Sequence, residues 1–179
     1  MIKEIMLPLD EEEICSINSG DQVCLSGKIF TARDAAHRRL AELLEAGKPL
    51  PFDFTGQTVF YAGPTPAKPG RITGSVGPTT SGRMDLYSPL FISKGLKIMI
   101  GKGNRSWEVI EAIVKYRGLY FAAIGGAAAL MSKCVKSSKL IAFEDLGTEA
   151  IYELLVEKLP LVAAIDSRGN NIYDALLPG

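Results

Sequence analysis

The chain has 179 residues, of which 47% are hydrophobic and 22% charged, as expected for a single globular domain over residues 1–179. Twenty basic and twenty acidic side chains cancel, so no net charge favours nucleic acid or an anionic membrane as a partner. Charges interrupt the apolar N-terminus, and no apolar run reaches the roughly 20 residues of a membrane helix. We therefore predict a cytoplasmic protein without a signal peptide.

The first half of the chain combines short strands with one clear helix. The strands are apolar runs, predicted at residues 3–7, 22–30, 58–62 and 72–76. Thr31 is positioned to cap a helix, Asp34 follows in the capping-box position, and Gly47 ends the helix. A further helix is predicted over residues 82–93, with Pro89 unfavourable in its middle.

The second half of the chain alternates strands and helices regularly. The strands are predicted at residues 97–100, 119–124, 140–143 and 161–165, and the helices at residues 106–116, 126–135 and 149–158. Such alternation is typical of parallel α/β folds. We predict an α/β fold with a mixed or parallel sheet and flanking helices, in which the strand-rich first third adds a second β layer or a small barrel.

Residues 77–85 (GPTTSGRMD) join glycines, three hydroxyls and an arginine at a predicted strand-to-helix turn. Free backbone N–H groups and a planar guanidinium can bind a carboxylate or a phosphate there. The spacing imitates a nucleotide phosphate loop, but Arg83 replaces the lysine and Met84 the magnesium-binding hydroxyl, which argues against a nucleotide triphosphatase. The simpler alternative is a glycine turn capped by Thr79 or Thr80.

Residues 31–39 (TARDAAHRR) place a cation where a helix begins. Arg33 falls in the predicted first turn, where the helix dipole is already positive, and an anion bound at that turn would remove the conflict. Pairing of Asp34 with a neighbouring arginine is the simpler explanation. His37 is the only histidine, so it serves either a hydrogen bond on the helix face or the anion pocket.

Lys102 lies between two glycines directly after the strand predicted at residues 97–100. Ligands of open α/β sheets collect at the carboxyl ends of strands, although an exposed lysine in a glycine turn is an equal alternative. Gly125 and Gly126 follow the next strand and more simply serve helix–strand packing. If Arg33, Arg83 and Lys102 converge, they form a pocket suited to a small dicarboxylate.

The three cysteines, Cys15, Cys24 and Cys134, equal in number the ligands of an iron–sulfur cluster that leaves one iron open. They lie 9 and 110 residues apart, without the close pair that cluster and zinc sites usually show. We interpret them as thiols of a reducing compartment rather than as ligands. With no metal-binding motif and no nucleophile–histidine arrangement, the chain reads as half of an active site.

Six segments, in order along most of the chain, resemble the β subunit of two-subunit class I fumarases, which is equivalent to the C-terminal domain of the single-chain forms. They are residues 27–39 (GKIFTARDAAHRR), 61–65 (YAGPT), 75–85 (SVGPTTSGRMD), 100–104 (IGKGN), 125–129 (GGAAA) and 144–150 (EDLGTEA). The resemblance implies a swivelling β/β/α domain of the iron–sulfur hydro-lyases. It also implies a [4Fe-4S] cluster held by three cysteines of a separate α subunit, and not by this chain, in a hetero-oligomer of α and β pairs.

The implied reaction is the reversible hydration of fumarate to (S)-malate, with the open iron of the partner's cluster acting as a Lewis acid. By motif position, the resemblance makes Arg33, Arg83 and Lys102 substrate anchors and Thr79 the proton acceptor. It places Asp34, His37 and Thr80 behind these groups. The β subunit of L-tartrate dehydratase is a close alternative, and a non-catalytic dicarboxylate-binding module that has lost its α partner is another.

Overall fold

The computed structural model describes residues 1–123 and 128–176. The strands within these residues are β1 (Lys3–Met6), β2 (Gln22–Thr31), β3 (Thr58–Phe60), β4 (Ile98–Gly101), β5 (Leu119–Ala123), β6 (Val135–Ala142) and β7 (Ile151–Ile165). The α-helices there are α1 (Glu11–Ser16), α2 (Asp34–Glu45), α3 (Ser88–Ser93), α4 (Trp107–Tyr116) and α5 (Ala128–Cys134). Short 3-10 helices cover Ser81–Met84, Glu144–Glu149 and Ile172–Leu176.

Five strands close into a barrel. Strands β2, β3, β4 and β5 pair side by side in parallel, and β7 pairs antiparallel with both β5 and β2, which completes the ring. Strand β1 extends the sheet beside β2, and β6 pairs with the first half of β7. The architecture is therefore a mixed α/β fold with a closed barrel and flanking helices.

Alternating side chains of the barrel strands feed two cores, because successive residues of a strand point to opposite faces. Ile98 and Ile100 of β4 belong to a cluster to which all five barrel strands contribute, so this cluster fills the barrel. Met99, between them, belongs to a second cluster with Leu40 of α2 and Ile113 of α4. The second core holds these helices against the outside of the barrel.

Most of the predicted elements before residue 124 are confirmed. Strands β1 to β5 and helices α2 and α4 lie within a few residues of their predicted places, except that residues 72–76 form no strand. The helix predicted over residues 82–93 is interrupted: a 3-10 turn and α3 share the segment, with Pro89 in the first turn of α3. Proline is tolerated there because that turn has no intrahelical partner for its N–H group.

The helix predicted over residues 149–158 is wrong. That segment begins β7, whose backbone pairs with β2 on one side and with β6 on the other. Its leucines, glutamates and lysine favour a helix locally, but two flanking strands override that weak preference. The strand predicted at residues 140–143 is the end of the longer β6, and the sheet is mixed because β6 and β7 run antiparallel.

The barrel topology brings several chain segments to one edge. Since β2, β3 and β4 run parallel, their carboxyl ends meet at the same end of the barrel. Strand β7 runs the other way, with Tyr152 beside Thr31, so it starts at that same end. Over residues 1–123 and 128–176, no helix has both the length and the apolar character needed to cross a membrane.

Candidate functional site

The carboxyl ends of β2, β3 and β4 and the start of β7 form a surface that we call the strand-end edge. Arg33 follows β2, Gly63 follows β3, Lys102 follows β4, and Glu149 precedes β7. Topology alone thus brings Arg33 and Lys102, which are 69 positions apart in the sequence, to one end of the barrel. This is the end at which parallel-stranded folds bind their ligands.

The segment from Pro78 to Ser81 lies between the extensions of β3 and β4. Pro78 bridges to Ala62, and the Thr79 N–H donates to the Tyr61 carbonyl at 2.6 Å. Thr80 bridges in parallel to Lys102, and the Ser81 N–H donates to the Lys102 carbonyl at 2.9 Å. Lys102 is therefore held beside Thr80, the residue after the buried Thr79, and its side chain is exposed.

Two glycines make these close approaches possible. A Cβ at Gly101 would overlap the Ser81 hydroxyl and lie 2.9 Å from Tyr61 Cδ2. A Cβ at Gly63 would lie 2.8 Å from the Thr148 carbonyl and 3.0 Å from Arg33 Cδ. Any side chain at either position would displace a segment of the site, so both glycines serve close packing.

Arg33 is the N-cap of α2, so it lies just before the first helical turn and not within it as predicted. Its Nε lies 4.0 Å from Glu149 Oε1, too far for a hydrogen bond. Both atoms are buried and have no partner among the described residues. The predicted cap was wrong: Thr31 belongs to β2, where its hydroxyl accepts from the Tyr152 N–H at 3.2 Å, because the sheet continues past the expected helix start.

Arg83 forms an ion pair with Asp34, in the first turn of α2. Asp34 thus pairs with an arginine, but with the distant Arg83 and not with a neighbour in the sequence, and the pair brings the 3-10 turn against α2. Asp34 Oδ1 is buried without a partner in the described chain, while the Arg83 side chain is 53% exposed. Thr79 and Thr80 cap no helix with their side chains, and the short 3-10 turn replaces the expected long helix dipole.

His37 is buried beneath the strand-end edge. Its Nδ1 lies 2.8 Å from the Arg33 carbonyl, and its ring contacts those of Tyr61 and Phe91. Burial lowers the pKa of His37 to about 4, so the imidazole is neutral near pH 7. Because a carbonyl only accepts, the Nδ1–H donates to it. Of its two predicted roles, His37 thus has a hydrogen bond within its own helix segment, to the backbone of Arg33.

Sequence reasoning missed two features of this region, Glu149 beside Arg33 and a buried network around Arg105. The Arg105 side chain has no exposed surface and donates from Nε to Asp85 Oδ1 at 2.7 Å. Asp85 and Arg105 lie at motifs that the sequence singled out: Asp85 is the last residue of GPTTSGRMD, and Arg105 directly follows GKGN. A charge at the end of two glycine-rich motifs was the available signal.

The described residues can be compared with the ligand sets of metal sites. Over residues 1–123 and 128–176, no three His, Cys, Asp or Glu side chains lie close enough to hold a metal ion. Cys15 lies on α1, Cys24 on β2 and Cys134 on α5, and all three are free thiols. Gly125 and Gly126, which we predicted to serve helix–strand packing, lie outside the described residues.

The strand-end edge thus combines three cations with two carboxylates. Arg33 and Lys102 follow strands at this edge, Arg83 is paired with Asp34 beside it, and Glu149 and Asp34 balance part of the positive charge. Three buried polar atoms on it have no partner among the described residues. One of them, Arg33 Nε, is a donor that a small carboxylate could satisfy, whereas Asp34 Oδ1 and Glu149 Oε1 are acceptors.

Comparison with known proteins gives consistent matches. The family model described as Fumarase C-terminus matches residues 2–176. Fumarate hydratase 1, mitochondrial, of Leishmania major is 43% identical over 157 residues, which cover 87% of this chain and 29% of that protein. The anaerobic class I fumarate hydratase of Escherichia coli is 38% identical over 178 residues, covering 98% of this chain and 32% of that protein.

A second group of relatives matches this chain in length. The putative L(+)-tartrate dehydratase subunit beta of Methanocaldococcus jannaschii is 38% identical over 172 residues, which cover 93% of this chain and 88% of that protein. The chain therefore spans less than a third of each of these two fumarate hydratases, but most of this β subunit.

Proposed function

The chain belongs to the Fumarase C-terminus family, and we propose that it is the β subunit of a two-subunit fumarate hydratase. In this proposal it contributes cationic substrate anchors and a threonine to an active site completed by an α subunit. The product of the reaction is (S)-malate, formed reversibly from fumarate. A swivelling β/β/α domain over residues 1–179, a cytoplasmic location and an assembly of α and β pairs belong to the same proposal.

The observation that carries the proposal is the gathering of Arg33, Thr79, Arg83 and Lys102 around the strand-end edge. Arg33 follows β2 and Lys102 follows β4, with β3 between these two parallel strands. Backbone hydrogen bonds hold the segment of Thr79 between the extensions of β3 and β4. Arg83 is held on the same side through Asp34. A dicarboxylate offers two anionic ends to such a group of cations.

Each proposed role follows from the chemistry of the side chain. Arg33, Arg83 and Lys102 neutralise the substrate carboxylates and the charge that develops when the proton beside a carboxylate is removed. Thr79 accepts that proton in the dehydration direction and returns it during hydration. A threonine hydroxyl is a weak base, so the neighbouring cations must stabilise its alkoxide. The acid that protonates the leaving hydroxyl is assigned to the partner.

The [4Fe-4S] cluster belongs to the proposed partner. The described residues of this chain hold no ligand set for it, so the chain's own part is confined to binding, orienting and deprotonating the substrate. Asp34, His37 and Thr80 support these groups: Asp34 through Arg83, His37 through the Arg33 carbonyl, and Thr80 through its bridge to Lys102.

The test is to produce the chain anaerobically with an α-type partner and to assay fumarate, mesaconate and tartrate. We expect a brown, oxygen-sensitive complex that hydrates fumarate, while the chain alone is inert. A colourless chain that binds dicarboxylates but never supports turnover would instead identify a non-catalytic module. Activity of the chain without its partner would contradict the proposal.

L-tartrate dehydratase is a second candidate, because the chain covers 88% and 87% of two tartrate dehydratase β subunits. Both reactions remove water from a hydroxylated dicarboxylate, so the same anchors serve either substrate. The ratio of kcat/KM for malate and for L-tartrate in the same complex decides between them. A ratio above one supports the fumarate hydratase.

A further inference from the structure

Arg105 is a buried cation that the proposed reaction does not use. Its Nε donates to Asp85 Oδ1 at 2.7 Å, and its Nη2 donates to Ser88 Oγ at 2.8 Å and to the Tyr61 hydroxyl at 3.1 Å. The other oxygen of Asp85 accepts from the Ser106 N–H at 2.5 Å. The guanidinium therefore ties the end of the 3-10 turn to α3, β3 and the start of α4.

Aromatic rings complete the surroundings of Arg105. The guanidinium carbon lies 4.8 Å from the ring centre of Tyr120 and 5.1 Å from that of Tyr61. Both distances are within the range of cation–π attraction, which is stronger where water is excluded. Arg105 thereby packs against the rings of Tyr61 and Tyr120.

Tyr120 carries the connection to the site. Its hydroxyl donates to the Gly103 carbonyl at 2.7 Å and lies 2.8 Å from Ser81 Oγ. Gly103 is the neighbour of Lys102, and Ser81 begins the turn that carries Arg83. Arg105, through Tyr120 and Asp85, thus contacts both of the segments that present the proposed anchors.

We propose that Arg105 is the positioning residue that holds the Lys102 loop and the Thr79–Arg83 turn at their working separation. This inference rests on the proposed function for its catalytic consequence. Burying a guanidinium costs desolvation that an apolar side chain would avoid, so filling space does not account for it. A planar fork between two rings, by contrast, reaches Asp85, Ser88 and Tyr61 at once, which a lysine cannot do.

The test compares Arg105→Lys with Arg117→Lys in the full chain, alone and in the anaerobic α complex. Arg117 is a matched control because its ion pair with Glu11 is exposed and lies outside the network. The first measurement is amide hydrogen exchange at Ser81 and Thr79, whose N–H groups bond to the Lys102 and Tyr61 carbonyls. We expect exchange at least tenfold faster than in the wild type for Arg105→Lys, and exchange at the wild-type rate for Arg117→Lys.

The second measurement is the kcat and KM of the complex with fumarate. A displacement of about 1 Å at the anchors lowers kcat/KM by roughly 10²-fold, with KM raised because Lys102 no longer meets the carboxylate. The double variant Arg105→Lys/Lys102→Met should lose less than the two single variants lose together, because one path by which Arg105 acts ends at Lys102. A merely structural role would lower the folded fraction, leave the KM unchanged and make the losses of the two substitutions additive.

A folded Arg105→Lys with wild-type exchange at Ser81 and wild-type kcat/KM would overturn the inference, as would additive effects in the double variant. If Arg105→Lys fails to fold, Tyr120→Phe removes only the hydroxyl contacts to Ser81 and Gly103 and must give the same two signatures. If the wild-type complex hydrates nothing, the proposed function fails, while the exchange measurement still decides whether Arg105 links the two segments.

Discussion

Two arginine–carboxylate pairs lie side by side in this molecule in opposite surroundings. Arg83 and Asp34, on the strand-end edge, have side chains that are 53% and 32% exposed. Arg105 and Asp85, beneath it, have side chains that are 0% and 14% exposed. The buried pair is satisfied by protein groups, whereas three polar atoms on the edge lack a partner within residues 1–123 and 128–176. The interior pair is thus suited to hold structure, and the edge is suited to bind a ligand.

The largest expected effect separates the two pairs by stability. Asp85→Ala leaves Arg105 buried without its carboxylate and removes the acceptor of the Ser106 N–H. We expect the free energy of unfolding to fall by about 3–5 kcal/mol, the usual result of breaking a buried ion pair. Urea unfolding of the full chain measures this change, and a loss below about 1 kcal/mol would contradict the contrast between the pairs.

The second effect separates the pairs by activity. Arg83→Ala removes a half-exposed guanidinium that contributes little packing, so we expect the chain to remain folded. In the α complex, kcat/KM should fall about 10²- to 10³-fold, as when one preorganised donor of a catalytic site is lost. Arg38→Ala, on an exposed face of the same α2 helix, is the matched control. Wild-type turnover by Arg83→Ala would refute the anchor role.

A third prediction concerns pH, because His37 lies between the edge and the core. Its pKa of about 4 in the folded chain is below the ordinary 6.5, so the unfolded chain binds the proton first as the pH falls. This contribution to stability is complete above about pH 6.5 and is lost towards pH 4. We expect a loss of roughly 2 kcal/mol by pH 5.

The histidine accounts for this pH dependence only if its removal abolishes it. His37→Gln removes the only histidine of the chain, so its urea midpoint should change much less between pH 7.5 and pH 5. Equal pH dependence in both proteins would show that folding does not lower the pKa of the imidazole.

The smallest expected effect concerns a well-formed but exposed ion pair. Arg39 donates to both oxygens of Asp145 at 2.8 Å, yet both side chains are exposed. We expect Asp145→Ala to leave the urea midpoint within error of the wild type, because solvent screens such pairs. A loss of stability as large as that of Asp85→Ala would mean that burial does not explain why the Arg105–Asp85 pair matters for stability.

Local sequence was sufficient for much of the fold. The apolar runs of β1 to β5 and the periodic stripes of α2 and α4 could be read directly, since each pattern matches the period of its element. The segment at residues 149–158 could not, because its composition suits a helix and only the pairing of β7 with β2 and β6 makes it a strand. The barrel closure depends on that same pairing.

The candidate site divides in the same way. The motifs around Arg33, Thr79, Arg83 and Lys102 were visible in the sequence, because glycines, hydroxyls and cations cluster in few other places along the chain. The partners of these residues were not visible. Glu149 meets Arg33, and Tyr120 meets Ser81 and Gly103, across long separations in sequence that only the closed barrel removes.

By itself, then, the sequence determined the motifs that the family resemblance uses and the chemical character of the candidate site, a group of cations and hydroxyls at glycine-rich turns. Tertiary structure alone decided which charges are neutralised, buried or left for a ligand. The reason is physical: residue identity sets which bonds a side chain can form, but burial and partner geometry, which set their strength, arise only when distant strands pair.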